Sequence, residues 1–197
     1  HTAGSEKRTY GYARTLRAKG HEVQVLCAGS FDEGRHYWNG YTDDIYRDIS
    51  VRRVHMNWRL APDCNRYLYD NPVIAGKLDL WIGEWRPDVV HIISCYTLSA
   101  RVIGVLKQHS LPIVLTLVDF WFVCPRLSLV HGDGSLCDGR ITPWECLRCL
   151  LWGAKAYRWA RRLLPEDTVA RVLTYISRNS ILSRQRGLRG MALDMEH

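Results

Sequence analysis

Three groups of residues in this 197-residue chain have types and spacing suited to chemistry. The first is Asp119, which leaves the end of an apolar run and is followed at once by Phe120, Trp121 and Phe122. A carboxylate beside aromatic rings is partly desolvated and well placed to hydrogen-bond a hydroxyl-rich ligand. An Asp in that position can equally cap the loop it opens. The second group is Cys124, Cys137, Cys146 and Cys149, spaced C-x12-C-x8-C-x2-C across a Cys-rich loop, 124–149. Cys146 and Cys149 have the spacing of a metal knuckle, and a tetrahedral thiolate site would pin a loop that lacks its own core. A structural zinc, two disulfides and free thiols all remain open, whereas four thiolates leave no open position for a catalytic metal. The third group is Gly4-Ser5-Glu6, at the start of a helical pattern. A glycine and a small hydroxyl at a helix N-terminus suit a phosphate; Ser5 is also an ordinary helix cap.

These groups need elements to position them. Residues 6–19 carry apolar or small side chains at helical spacing and close at Gly20, which predicts a helix. Residues 21–28 alternate as a strand with Val23, Val25 and Cys27 on one face. Residues 31–48 are aromatic, acidic and glycine-containing, and read as a long loop, followed by a short strand over 51–56. A helix over 71–85 has Pro72 in its first turn and stops before Pro87. The near-continuous apolar runs at 88–94 and 113–119 predict strands buried on both faces, with a helix over 98–109 between them. A helix over about 143–164, a strand over 172–177 and a helix over 178–186 complete the pattern. Strands alternating with helices predict one Rossmann-like α/β domain over 1–197, a parallel sheet with helices on both faces and the Cys-rich loop inserted.

Ligands in such sheets sit beyond the carboxyl ends of the strands. That rule singles out Gly29-Ser30, Cys95-Tyr96-Thr97, Asp119-Phe120-Trp121 and Ser177-Arg178-Asn179, together with the segment 1–6 that opens into the first helix. Cys27 and Cys95 read as buried small hydrophobes, His91 as a satisfied core residue and His21 as a turn residue. The eight histidines form no ligand spacing, and no nucleophile–base pair stands out.

Composition narrows the class. With 47% hydrophobic and 24% charged residues, the chain is neither a disordered tail nor a disulfide-stapled mini-protein. No apolar run approaches the roughly 18 residues that span a bilayer. The formal charge of +7 lies entirely within 126–189, where twelve basic residues face five acidic ones. A basic segment draws phosphate-bearing partners, and it also serves as plain solvated surface. Within it, Trp152, Ala156, Trp159 and Leu163 share one helical face, suited either to the core or to an anionic membrane surface. Without a secretion signal, the expected setting is a reducing cytoplasm, including a peripheral position on the inner face of the membrane.

Together these residues resemble the N-terminal domain of the group 1 (family 4) glycosyltransferases. Gly4-Ser5-Glu6 with Lys19-Gly20-His21-Glu22-Val23-Gln24-Val25 is similar to the family's GG-x-E opening and its following strand. Arg86-Pro87-Asp88-Val89-Val90-His91 matches its xPDvvH strand. Thr116-Leu117-Val118-Asp119-Phe120-Trp121 with Cys124-Pro125-Arg126 resembles its TLhDfWfxCPr segment. Asp133 to Cys137 with Cys146-Leu147-Arg148-Cys149 matches the Cys-bearing loop of one subgroup.

The resemblance implies one half of a two-domain GT-B architecture that transfers a sugar from a nucleoside-diphosphate-sugar donor with retention and without a metal. Gly4 and Ser5 become the phosphate-side loop, Asp119 the catalytic, acceptor-side polar residue, and Glu6, Tyr96, Trp121 and Arg126 substrate contacts. Cys124, Cys137, Cys146 and Cys149 become a loop clamp. A sugar or lipid-linked acceptor and a C-terminal donor-binding domain, in cis or in trans, are the implied partners, with no specific nucleic acid. The chain departs from the pattern in three ways. Ser5 replaces the second loop glycine, Val118 stands where many members carry histidine, and neither the opening strand nor the C-terminal domain is present in it. The alternative is a non-enzymatic, metal-clamped module that binds polyanions or a membrane surface.

Overall fold

A computed structural model describes residues 4–63, 66–124, 126–131 and 133–139. Beyond these it describes 142, 145–146, 149, 159–160, 162–165, 168–169, 171–172 and 175. The chain divides into two compact units, His1–Val118 and Asp119–His197.

The first unit opens with α1 (Gly4–Ala18), which buries Ala13 against Ile49 and Val51 and packs Tyr10 beside Val23, Val25 and Cys27. Its end is set by Gly20 at φ +89°, where the N–H groups of Gly20 and His21 return to the carbonyls of Arg17 and Leu16. That pair of bonds satisfies the last helical carbonyls and needs the left-handed backbone glycine adopts freely. β1 (Gln24–Phe31), β2 (Trp38–Tyr46) and β3 (Ile49–Met56) then form a sheet in the order β1-β3-β2. β1 runs parallel to β3, and β2 runs antiparallel to it.

β2 corrects the long loop expected over 31–48. Its two central acids hid it: Asp43 and Asp44 break the apolar alternation, but cross-strand arginines neutralise both. Arg52 binds Asp43 through Nε at 2.8 Å and Nη2 at 2.9 Å, and Arg53 binds Asp44 at 2.7 Å. The hairpin turn is Arg47-Asp48, with φ of 48° and 65°, a two-residue turn normally signalled by Asn-Gly.

After a short 3₁₀ turn (Trp58–Leu60) and α2 (Arg66–Tyr69) comes α3 (Pro72–Trp85), which buries Ile74, Ala75, Leu78 and Ile82. α1 covers the sheet face that carries Ile49 and Val51. α3 meets the opposite face, where Arg52 reaches Glu84 at 3.2 Å and stacks on Trp81. The α/β class with helices on both faces therefore holds for this sheet, but the expected parallel order is corrected: the antiparallel β2 makes the sheet mixed. α3 ends at Arg86 in the left-handed region (φ 52°), whose N–H returns to Ile82.

β4 (Val90–Ile92) and β5 (Ile113–Leu115) form a separate parallel pair joined through α4 (Arg101–Gln108), which buries Val102, Val105 and Leu106. Both strands are shorter than their apolar runs, and burial on both faces is corrected: within the two runs only Ile92 is buried, while Val114 is 50% and Leu117 63% exposed. Hydrophobicity identified the strands; the covering of their second face is a property of neighbours that a local run cannot report.

In the second unit, Val130 and Leu136 form an isolated antiparallel bridge. Helical backbone is found at 145–146, 149, 159–160 and 162–163, within the expected helix. Arg171, Val172 and Tyr175 are also helical, which corrects the strand expected from Val172 onward. Trp152, Ala156 and the helix expected over 178–186 lie outside the described residues.

Candidate functional site

The anion-binding candidates sit on α1. From Gly4, the first described residue, the backbone is helical, with Ser5 inside the helix and its hydroxyl donating to the Glu6 carboxylate at 3.2 Å. Space around Gly4 is open: a Cβ built there meets nothing within 4 Å. A helix N-terminus attracts anions through its N–H groups and the positive end of the helix dipole.

Beyond the carboxyl end of β4 the backbone is strained and tightly bonded. Thr97 and Ser99 have φ of 75° and 78°, and the N–H groups of Leu98 and Ser99 both return to the Cys95 carbonyl. Two left-handed non-glycine residues in one turn persist only where surroundings over-determine them. Here the over-determination is a buried polar chain. Ser99, fully buried, accepts the Asn71 N–H at 3.0 Å and the Arg101 N–H at 3.2 Å on its hydroxyl. Asn71, also fully buried, accepts from the Val73 and Ile74 N–H groups as the cap of α3. Its Nδ2 donates to the Tyr37 hydroxyl at 2.6 Å, and burial pushes that hydroxyl up to about 12. Tyr96 stands on this turn, half exposed, with its N–H bonded to the Ser94 hydroxyl. Cys95 is buried as expected, and burial raises its thiol to about 11. Cys27 is only half-buried, beside the Arg53 guanidinium. His91 is half-buried too, bonded to the Thr116 hydroxyl at 2.7 Å and packed on the Tyr12 ring.

A second polar group, at the carboxyl ends of β1 and β3, joins Ser30 to His55 and Thr42. The Ser30 N–H donates to His55 Nδ1 at 3.2 Å, and the Ser30 hydroxyl lies 2.9 Å from the same nitrogen. A backbone donor on Nδ1 places the ring proton on Nε2, which then donates to the Thr42 hydroxyl at 3.0 Å. Gly29 makes room for the ring: a Cβ there would fall 2.7 Å from His55 Cε1. Ser30 was legible as a strand-end residue, but its partners stand 12 and 25 positions away.

In the second unit, Asp119 is partly buried and accepts the Trp121 N–H at 2.9 Å on Oδ1, the local cap expected of an Asp opening a loop. Its other carboxylate oxygen has no hydrogen-bond partner among the described residues. Trp121 packs edge-on against Phe122. Arg126 is exposed and donates to the Cys149 carbonyl at 3.4 Å. The four cysteines carry free thiols. Burial pushes the Cys146 thiol up. No group of three or more His, Cys, Asp or Glu side chains at metal-binding spacing occurs among the described residues. Trp159 and Leu163, on the face shared between core and membrane readings, are 66% and 61% exposed. Among the described residues no helix is long and apolar enough to cross a membrane.

The model of the glycosyl transferase 4-like domain matches residues 3–178, and the chain belongs to that family. The match spans Gly4, Ser5, Glu6, Tyr96, Asp119, Trp121, Arg126 and all four loop cysteines. No curated protein and no solved structure matches the chain.

Proposed function

We propose that this chain is the acceptor-side domain of a retaining glycosyltransferase, which transfers a sugar from a nucleoside-diphosphate-sugar donor to a hydroxyl of a sugar or lipid-linked acceptor. A C-terminal domain, in cis or in trans, binds the donor. Membership of the glycosyl transferase 4-like family over 3–178 carries this reading.

In this scheme the open first turn at Gly4 and Ser5 faces the donor diphosphate, and Glu6 faces the sugar. Helix N–H groups aimed at the departing diphosphate stabilise charge that grows in the transition state, which is where preorganised donors accelerate a reaction most. Asp119 holds the acceptor hydroxyl with its second oxygen, while the Trp121 N–H fixes the first. Tyr96, Trp121 and Arg126 supply acceptor contacts. The bond from the anomeric carbon to the diphosphate breaks, the acceptor oxygen takes its place on the same face of the sugar, and the acceptor's hydroxyl proton passes to the departing diphosphate.

The test is Asp119→Ala in the two-domain enzyme. Loss of one such polar contact costs about 100-fold or more in turnover, with the circular-dichroism spectrum unchanged. Turnover within twofold of wild type removes Asp119 from the site.

Exposed Trp159, Leu163 and Leu164 in the basic segment also favour a peripheral contact with anionic lipid. Co-sedimentation with phosphatidylglycerol vesicles that is lost in Trp159→Ala supports that contact; equal binding to neutral vesicles refutes its electrostatic part.

A further inference from the structure

We propose that Ser30, held by His55 and Thr42 at the carboxyl ends of β1 and β3, is a subsite for a hydroxyl group of a neutral saccharide. The choice of a saccharide rests on the glycosyltransferase reading; the selection of a hydroxyl rests on the bonds alone.

Both strands that flank β3 are deformed at the level of His55. β1 pairs Ala28 with Val54 and Phe31 with Met56, so Gly29 and Ser30 together face His55. β2 pairs Tyr41 with Val54 and Trp38 with Met56, so Asn39 and Gly40 face it as well, with Gly40 at φ +93°. An extra residue in a strand disrupts the ladder and re-aims a side chain, and such bulges gather beside active sites. In β1 the bulge turns both the N–H and the hydroxyl of Ser30 onto the imidazole. Ligands of parallel strands sit at this end of a sheet.

The resulting chain of bonds is polarised. The Ser30 N–H fixes Nδ1 as an acceptor, so the Ser30 hydroxyl, 2.9 Å from that nitrogen, bonds it only by donating its proton. The lone pairs of its oxygen are left for a donor outside the chain. At the other end Nε2–H donates to the Thr42 hydroxyl, which locks the tautomer. Neither hydroxyl has a further hydrogen-bond partner among the described residues; Ser30 is half-buried and Thr42 exposed. An outward acceptor at Ser30 suits a ligand hydroxyl, which donates, and disfavours a phosphate dianion, which brings acceptors alone. Charge does not offset this, because Arg53, two residues before His55 on the same strand, is bound to Asp44 at 2.7 Å. Ser30 is the contact, and His55 is a positioning residue that acts through it.

The isotope-labelled full chain is titrated at pH ~8, above the ordinary histidine range, and followed by NMR at the Ser30 amide and the His55 ring. The probes are methyl α-glucoside, methyl α-mannoside, methyl α-galactoside and, separately, inorganic phosphate. His55 should carry its proton on Nε2, and at least one glycoside should shift both signals with a Kd of about 1–10 mM. Phosphate should leave them in place. Ser30→Ala keeps the N–H and should weaken the glycoside about fivefold or more. His55→Asn, which restores an acceptor near the place of Nδ1, should bind it more tightly than His55→Leu does. If His55→Leu does not fold, Ser30→Ala decides. Glycosides that shift neither signal, phosphate that saturates them, a proton on Nδ1, or Ser30→Ala binding within about twofold of wild type would each overturn the proposal. Turnover of Asp119→Ala judges the transferase reading separately, so either can fail alone.

Discussion

Asn71→Ala removes a side chain that serves two elements at once. Its Oδ1 caps α3 by accepting from Val73 at 3.1 Å and Ile74 at 3.2 Å, and losing such a cap costs about 0.5–2 kcal/mol. Its Nδ2 donates to the Tyr37 hydroxyl, and stranding that partly buried oxygen adds roughly 1–3 kcal/mol. The backbone N–H that holds Ser99 survives the substitution, so the terms stop there. The expected loss is about 1.5–5 kcal/mol, which at a urea slope near 1.5 kcal/mol/M lowers the midpoint by roughly 1–3 M. Asn71→Ser separates the two roles. It keeps an uncharged capping acceptor and loses the donor to Tyr37, so it should cost only the second term, about 1–3 kcal/mol. Urea unfolding followed by circular dichroism checks both variants. If Asn71→Ala falls within about 0.5 kcal/mol of wild type, the ordinary range of a surface substitution, the polar chain does not hold the turn beyond β4.

Two further outcomes follow from the same unit. Gly29→Ala drives a Cβ against the His55 ring and should cost about 1–3 kcal/mol, with the His55 ring resonances shifting in NMR spectra as the Ser30 bond breaks. Hydrogen bonds from Arg101 and Arg66 hold the Asp70 carboxyl below the usual carboxylate range. Asp70 therefore contributes stability that is complete above pH ~4, its ordinary value, and is lost as pH falls through the depressed one. Asp70→Asn should flatten the acid limb of the stability–pH curve while costing only about 0.5–1 kcal/mol at neutral pH; an unchanged acid limb contradicts the pairing.

Much of this architecture was written locally. α1 carries its stop signal in Gly20 and α3 its start in Asn71-Pro72, because caps depend on adjacent residues. β2 escaped notice because Asp43 and Asp44 look like loop residues until Arg52 and Arg53 are set opposite them, a pairing made by the sheet. The exposed outer side chains of β5 and the helical Val172 had the same origin: apolar strings state a preference, and neighbours decide how it is used. Of the candidate site, Gly4, Tyr96 and Asp119 were legible from position relative to elements. The links Tyr37–Asn71–Ser99 and Ser30–His55–Thr42 were not, since their partners stand 13 to 34 residues apart.

The central claim, retaining transfer from a nucleoside diphosphate sugar, is tested most directly by product stereochemistry. Proton NMR of the product formed by the two-domain enzyme from an α-configured donor should show an α-glycoside from the first turnover, with nucleoside diphosphate released in equal amount. A β-glycoside, or a product formed without release of nucleoside diphosphate, would contradict it.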